Sequence, residues 1–340
     1  MTTQTIANPS GTQPEAPQSS FSARYGAQLQ QLLALAALAF IFIFFSISTD
    51  NFLQWGNITS ILLSSAVIGT MALGATFVIA TSGIDLSVGT GMTLCAVMTG
   101  VFLSTEWLGL PLFLGIILSI GFGALMGFIN GVNVAILKIP PFIATLAMMM
   151  VAQGLALIIS SSTPIYLTDV EGFYDISQGE ILPQFPNAAL IFILCAVIAA
   201  LVMSKTLLGR YALSIGSNEE ATRISGVNTR YWLIAIYTFA GVFTALAAIL
   251  LSARLASAQP ATGMGYELEA IAAVVIGGTS LSGGRATIFG TFIGALLMAV
   301  LANGLQIMSI PQEWQKVAIG IVILIAVFAD NLRRSREKKA

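Results

Sequence analysis

The stretch from Ile58 to Ser104 reads ITSILLSSAVIGTMALGATFVIATSGIDLSVGTGMTLCAVMTGVFLS: two apolar runs, near 58 to 81 and 86 to 104, parted by hydroxyls, glycines and one acid. Each run approaches the roughly 20 apolar residues a helix needs to cross hydrocarbon. A break between such runs is tolerated only where it is buried in protein or faces water, because lipid offers no partner to an exposed backbone group. The pattern predicts a helical membrane protein with spans interrupted at chosen places.

Working outward, similar windows recur near 29 to 48, 110 to 137, 141 to 161, 188 to 204, 231 to 252, 267 to 282, 287 to 308 and 314 to 330. The expected fold is an all-α polytopic membrane protein of about ten transmembrane helices in a domain covering 24–332, with broken or re-entrant segments near 81–90 and 277–287. Composition agrees: 56% of residues are hydrophobic and 9% charged, against about 25% charged in soluble domains. The net charge of -1 gives no reason to expect a nucleic-acid partner. The run at 29 to 48 is longer than a signal-peptide core and follows a single Arg24, so it reads as a retained span. Residues 1–23, rich in Thr, Gln, Ser and Pro, read as a disordered tail. The eighth segment, at 267 to 282, is short and Gly-rich and could be re-entrant instead of spanning.

Charge sets the expected orientation. With the N-terminus inside, Arg24, Lys138, Lys205, Arg210, Arg223, Arg230, Arg285 and the basic tail at 333–340 fall on the cytoplasmic side. Only Arg254 and Lys316 of the 14 basic residues are left outside. The opposite side collects Asp50, Glu106, Asp169, Glu171, Asp175, Glu180 and Glu313. That distribution obeys the positive-inside rule and places both termini in the cytoplasm. The loop 162–187 is then external, with four acids and the aromatics Tyr166, Phe173, Tyr174 and Phe185. It is either a lid on the span ends or a landing surface for an external partner.

The segment 205–230 is a polar interlude on the cytoplasmic side, holding six of the chain's 29 charged residues, 14 basic plus 15 acidic. It contains a legible short helix: Asn218 as N-cap, Glu219 and Glu220 in the first turn, Arg223 in the last and Gly226 as terminator. Ala221 and Ile224, three apart, offer an apolar contact beside Thr222. So short a helix is marginal alone in water and needs something to hold it.

Within the spans, Gly123, Gly127 and Gly131 form a small-residue ridge, repeated by Gly290 and Gly294, that suits close helix packing. Asp85, followed by Ser87, reads either as a ligand for an ion or substrate near the membrane or as a carboxylate capping the next helix. The run Gly277 to Gly284 echoes the break at 81–89, as equivalent elbows of a pseudo-repeat would. Arg254 violates the charge pattern, and Glu267 and Glu269 are its candidate partners, in a rim salt bridge or an external gate latch. Asn130, Asn133, Gln259, Asn303 and Gln306 are candidate polar groups along a path. Cys95 and Cys195 read as buried hydrophobes. The absence of histidine removes the usual general base and transition-metal ligand, so no catalytic residue and no metal site is expected.

Several ordered motifs then carry a resemblance. Gly83 to Gly89, Pro141 to Leu146, Gly209-Arg210-Tyr211, Gly216 to Val227, Ser257 to Pro260, and Gly265 to Leu268 with Gly277 to Leu281 resemble the permease subunits of bacterial ABC importers for monosaccharides, those for ribose most closely. The resemblance runs from about Leu29 to Asn331. It implies a homodimer in the lipid of the bacterial inner (plasma) membrane, a cytoplasmic ATPase with two nucleotide domains that uses ATP and Mg, and a periplasmic or lipid-tethered sugar-binding protein. It also implies that the helix at 218–227 couples the permease to that ATPase. The chain has no G-x-x-x-x-G-K-[ST] loop, in keeping with ATP binding by a partner and no cofactor of its own. The alternatives are a permease for branched-chain amino acids, an ion-coupled secondary transporter, which would need charged groups inside the spans, and a membrane enzyme.

Overall fold

The computed structural model describes residues 21–337. In chain order it contains α1 (Phe21–Ser48), α2 (Trp55–Ala80), α3 (Val88–Leu103), α4 (Leu112–Ala135), α5 (Pro141–Ile159), β1 (Ile165–Tyr166), α6 (Asp175–Gln178) and α7 (Asn187–Lys205). Then follow α8 (Leu207–Ser217), α9 (Glu219–Ile224), α10 (Thr229–Leu255), β2 (Ser257–Ala258), α11 (Tyr266–Ile276), α12 (Ile288–Ile307) and α13 (Gln312–Glu337). Seven of these helices are long and apolar enough to cross a membrane: α1, α2, α4, α5, α7, α10 and α12. Residues 1–20 of the tail expected at 1–23, and 338–340 of the basic tail expected at 333–340, lie outside the described residues. Residues 21–23 already belong to α1, and α13 continues unbroken through 333–337.

The core lies along α2, 89% buried over its membrane-crossing window, with α10 and α12 against it; α1, at 11%, keeps an apolar exterior suited to lipid. The α4 ridge packs on α10 backbone to backbone. A methyl group at Gly127 would stand 2.2 Å from the Tyr237 carbonyl, and one at Gly123 would stand 2.5 Å from that of Gly241. The second ridge does the same between α12 and α11, where a methyl at Gly294 would fall 2.0 Å from the Ala273 carbonyl. Both contacts are therefore intramolecular, and only glycine permits them.

The segment expected to span from 267 to 282 is built differently. Helix α11 has 11 residues and rises about 16 Å, half of the roughly 30 Å hydrocarbon thickness. The missing half is extended chain. Ala258 lies against Gly100 near the far end of α3, while Gly263 lies against Gly89 and Thr93 in its first turns. Residues 257–265 thus run down α3 to mid-depth before α11 begins. Helix formation fails there because Pro260, Gly263 and Gly265 punctuate the run, and Gly265 takes a φ of +102° that side-chain-bearing residues avoid. The segment is built as extended chain followed by a half-length helix, along one side of α3.

The 162–187 loop is folded against the span ends. β1 pairs antiparallel with β2, Ile165 opposite Ala258 and Tyr166 opposite Ser257. Phe173 is fully buried with Leu103, Leu167, Ile249 and Ala253, whereas Tyr166 and Tyr174 face outward. A lid and an outward aromatic face therefore coexist in one loop.

Candidate functional site

At the basic end, where Lys205, Arg210, Arg223 and Arg230 gather, α8 and α9 form a platform. Asn218 caps α9, its Oδ1 accepting the Ala221 N–H at 2.9 Å, and Gly226 ends it with φ +87°. Thr222 turns inward, and the Thr229 hydroxyl donates to Glu219 at 3.2 Å. Arg223 pairs with Glu220 at 2.6 Å on the outer surface, and that hydrogen bond raises the guanidinium pKa above its ordinary value. Ala221 and Ile224 face solvent, Ile224 at 76% exposure, and Ala221 also lines a groove of about 550 Å³ between α8 and α9.

Helix α8 joins this platform to the spans, a part that sequence reasoning left as loop. Its signal was present in Leu208, Ala212 and Ile215, spaced to share one helix face over Gly209. The last turn of α8 meets both elbows. The Ser82 hydroxyl donates to the Ser282 carbonyl at 2.7 Å, and its oxygen also lies 3.1 Å from that of Gly216. Gly284 N–H donates to the Ala80 carbonyl at 3.0 Å, and a methyl at Gly216 would stand 1.8 Å from that same carbonyl. The two elbows expected as counterparts thus touch each other and α8 at one point.

Beneath the platform lies a buried polar lock. Asp85 Oδ1 accepts the Ser87 N–H at 2.8 Å and the Ser87 hydroxyl at 2.6 Å, and Asn130 Nδ2 donates to Ser87 Oγ at 2.9 Å. Asp85 therefore shapes the turn before α3. Ser87 itself is the N-cap position and makes no side-chain cap bond; Asp85, two residues earlier, accepts the Ser87 N–H and not one from the first turn of α3, so the helix cap expected of it is replaced by a local turn. Thr145 Oγ1, on α5, accepts the Leu86 N–H at 3.1 Å. Asn130 Oδ1 and Tyr237 Oη stay buried without partners among the described residues. Each such orphan costs about 1–3 kcal/mol.

At the acidic end, α2, α10 and α12 enclose a chamber of about 410 Å³ lined by Asn57, Ser60, Ser64, Arg254, Asn303 and Gln306. Arg254 Nη1 donates to Ser64 Oγ at 2.9 Å, and Asn303 Nδ2 donates to Asn57 Oδ1 at 2.9 Å. The residues missed in the sequence, Asn57, Ser60 and Ser64, stand at i, i+3 and i+7 on one face of an otherwise apolar span. The rim pairing expected for Arg254 is corrected: among the described residues, Arg254 and Glu267 do not pair. The extended run 257–265 carries Glu267 down to Gly89, where both carboxylate oxygens accept the Gly265 N–H at 3.1 Å. Gln259 bonds Ser257 at 3.1 Å on that run, and Asn133 lies half-buried near the end of α4; neither lines the chamber.

Comparison with known proteins agrees with this architecture. A family model described as branched-chain amino acid transport system / permease component matches residues 57–327. The ribose import permease protein of Bacillus subtilis (strain 168) is 44% identical over 305 residues, covering 89% of this chain and 93% of that protein. The ribose import permease protein of Escherichia coli (strain K12) is 37% identical over 313 residues, covering 91% and 96%. The fructose import permease protein of Rhizobium meliloti is 38% identical over 281 residues, covering 81% and 78%. No solved structure matches the chain. With apolar helices around a glycine-packed core and a family match across most of its length, the chain is a multi-pass inner membrane protein and belongs to the family of transport-system permease components.

Proposed function

We propose that the chain is the membrane-spanning subunit of an ATP-driven importer for a monosaccharide, a pentose such as ribose being favoured. The relatives named for ribose and fructose support the sugar class over branched-chain amino acids, although the family description names the latter. The working unit is a homodimer with ten crossings per subunit and both termini cytoplasmic, an orientation supported by the basic residues at the platform end. A cytoplasmic ATPase with two nucleotide domains hydrolyses ATP with Mg and moves the platform. A periplasmic or lipid-tethered binding protein delivers sugar at the acidic end, where the loop 162–187 faces it.

The observation that carries the coupling role is α9, a six-residue helix with its apolar residues pointing outward, which follows directly on the last turn of α8 where that helix meets both elbows. An exposed Ile224 on a capped helix suits a partner's cleft, and a push on α8 reaches α2, α3 and α12 through backbone contacts. Alternating access then follows from moving the elbows against the Asp85–Ser87–Asn130 lock. The test is co-purification and uptake. Ile224→Asp leaves the spans folded, loses the ATPase and abolishes d-ribose uptake by the assembled importer. Retained association, or uptake driven by an ion gradient through the chain alone, contradicts the reading.

A further inference from the structure

The chamber at the acidic end holds an imbalance. Arg254 is a half-buried cation in the last turn of an apolar helix, held by one hydroxyl, with no acid among the residues that line the space. Burying a charge without an opposite charge beside it is costly. The other lining groups are neutral and mixed in sense. Asn57 is oriented by donating Nδ2 to the Phe52 carbonyl at 2.8 Å, so its Oδ1 meets Asn303 Nδ2 and leaves Asn303 Oδ1 buried without a partner. Ser60, Ser64 and Gln306 add hydroxyls and an amide, each able to donate and to accept. The apolar lining is confined to Ala299, Ala302 and Ile307.

We infer that this chamber is a transit site for a neutral polyhydroxylated molecule of monosaccharide size, an assignment that deepens the importer reading and rests on it. The volume of about 410 Å³ falls inside the roughly 300–1,000 Å³ of small-molecule sites. Guanidinium, amide and hydroxyl groups match the adjacent hydroxyls of a sugar, each of which donates and accepts. A branched-chain amino acid fits poorly on two counts: its ammonium finds no carboxylate in the wall, and its side chain finds no apolar slot. The acid of the adjoining cavity, Glu269, lies across Ala302 in a space that Lys316 also lines. The chamber thereby separates the two substrate classes by charge and by wetness.

The experiment uses the permease assembled with its ATPase and binding protein in proteoliposomes. Ser64→Ala and Asn303→Ala each lower d-ribose uptake about fivefold, the worth of one lost hydrogen bond, while the ATPase still co-purifies. Unchanged uptake in both overturns the assignment while leaving the importer reading intact; a wild-type assembly that transports no sugar overturns that reading instead. Should either substitution disturb assembly, Gln306→Cys decides, because the native Cys95 and Cys195 are buried. Excess d-ribose slows its labelling by a membrane-impermeant maleimide and excess leucine does not. Protection by leucine, or by neither, overturns the assignment.

Discussion

The platform at the basic end and the chamber at the acidic end are built by opposite means. The platform is backbone against backbone: Gly216 on Ala80, Gly283 on Ser82, Gly284 on Ala80, with little room for a methyl group. The chamber is side chain against space, its wall made of groups that reach a neighbour singly and leave volume over. Close backbone contact transmits displacement, since packed interfaces repack in steps and do not deform smoothly. Loose polar contact accommodates a guest. The molecule is stiff where force is expected to enter and open where substrate is expected to sit.

The comparison breaks most sharply at Gly216. Gly216→Val places branched carbon against the Ala80 carbonyl and forces the elbows apart, costing about 1–3 kcal/mol or more from overpacking. The expected outcome is a permease that aggregates in detergent or melts well below the unchanged chain, read by size-exclusion chromatography and thermal unfolding. Ser60→Ala, at the chamber, leaves the melting temperature where it was. Equal tolerance at both sites would erase the contrast.

A smaller effect sharpens the platform. Asn218→Ala removes the bond to the Ala221 N–H and costs α9 about 0.5–2 kcal/mol. ATPase affinity should fall by about that amount, roughly tenfold at the middle of the range, with the spans unaltered, and Asn218→Asp should restore most of it because aspartate caps as well. Titration of the ATPase against detergent-solubilised permease measures both.

The smallest effect lies on the acidic face. The Thr105 hydroxyl and N–H donate to Asp169, tying the loop after α3 to the lid and holding the carboxyl below the ordinary aspartate value of 3.8. A lowered folded-state pKa contributes stability above the unfolded value and loses it as pH falls through the folded value. Proteolysis of the lid should therefore be insensitive to pH from neutrality down to about 4 and rise only below that. In Thr105→Val that low-pH rise shrinks, because the folded and unfolded values of Asp169 converge once the hydroxyl is gone. The group is exposed, so the change is slight.

The fold was legible because lipid is an unforgiving solvent. Long apolar runs, basic flanks and the ridges at Gly123, Gly127 and Gly131 each have one economical reading in a bilayer. Asn218, Glu219 and Gly226 announced α9 by local chemistry alone. The chamber escaped notice because its parts converge from α2, α10 and α12 across separations of 190 and 246 residues. Ser60 and Ser64 look like hydroxyls that any span tolerates. The supposed partnership of Arg254 and Glu267 came from their nearness in sequence, and the extended run between them defeats it by carrying one to mid-depth while the other stays at the rim. Asp85 was seen as a landmark, but the link from its partner Ser87 across to Asn130 was invisible without tertiary packing.

That extended run bears on how the protein is made. Residues 257–265 expose N–H and C=O groups that hydrocarbon cannot satisfy, and α11 alone is too short to be taken up as an independent span. Its berth is a groove formed by α3, with β2 stitched to β1 in a loop synthesised some 90 residues earlier. The earlier helices must therefore already stand together, in register, before this crossing enters. The broken segment thus takes its shape from neighbours made before it, where the other apolar helices carry their own hydrogen bonds with them.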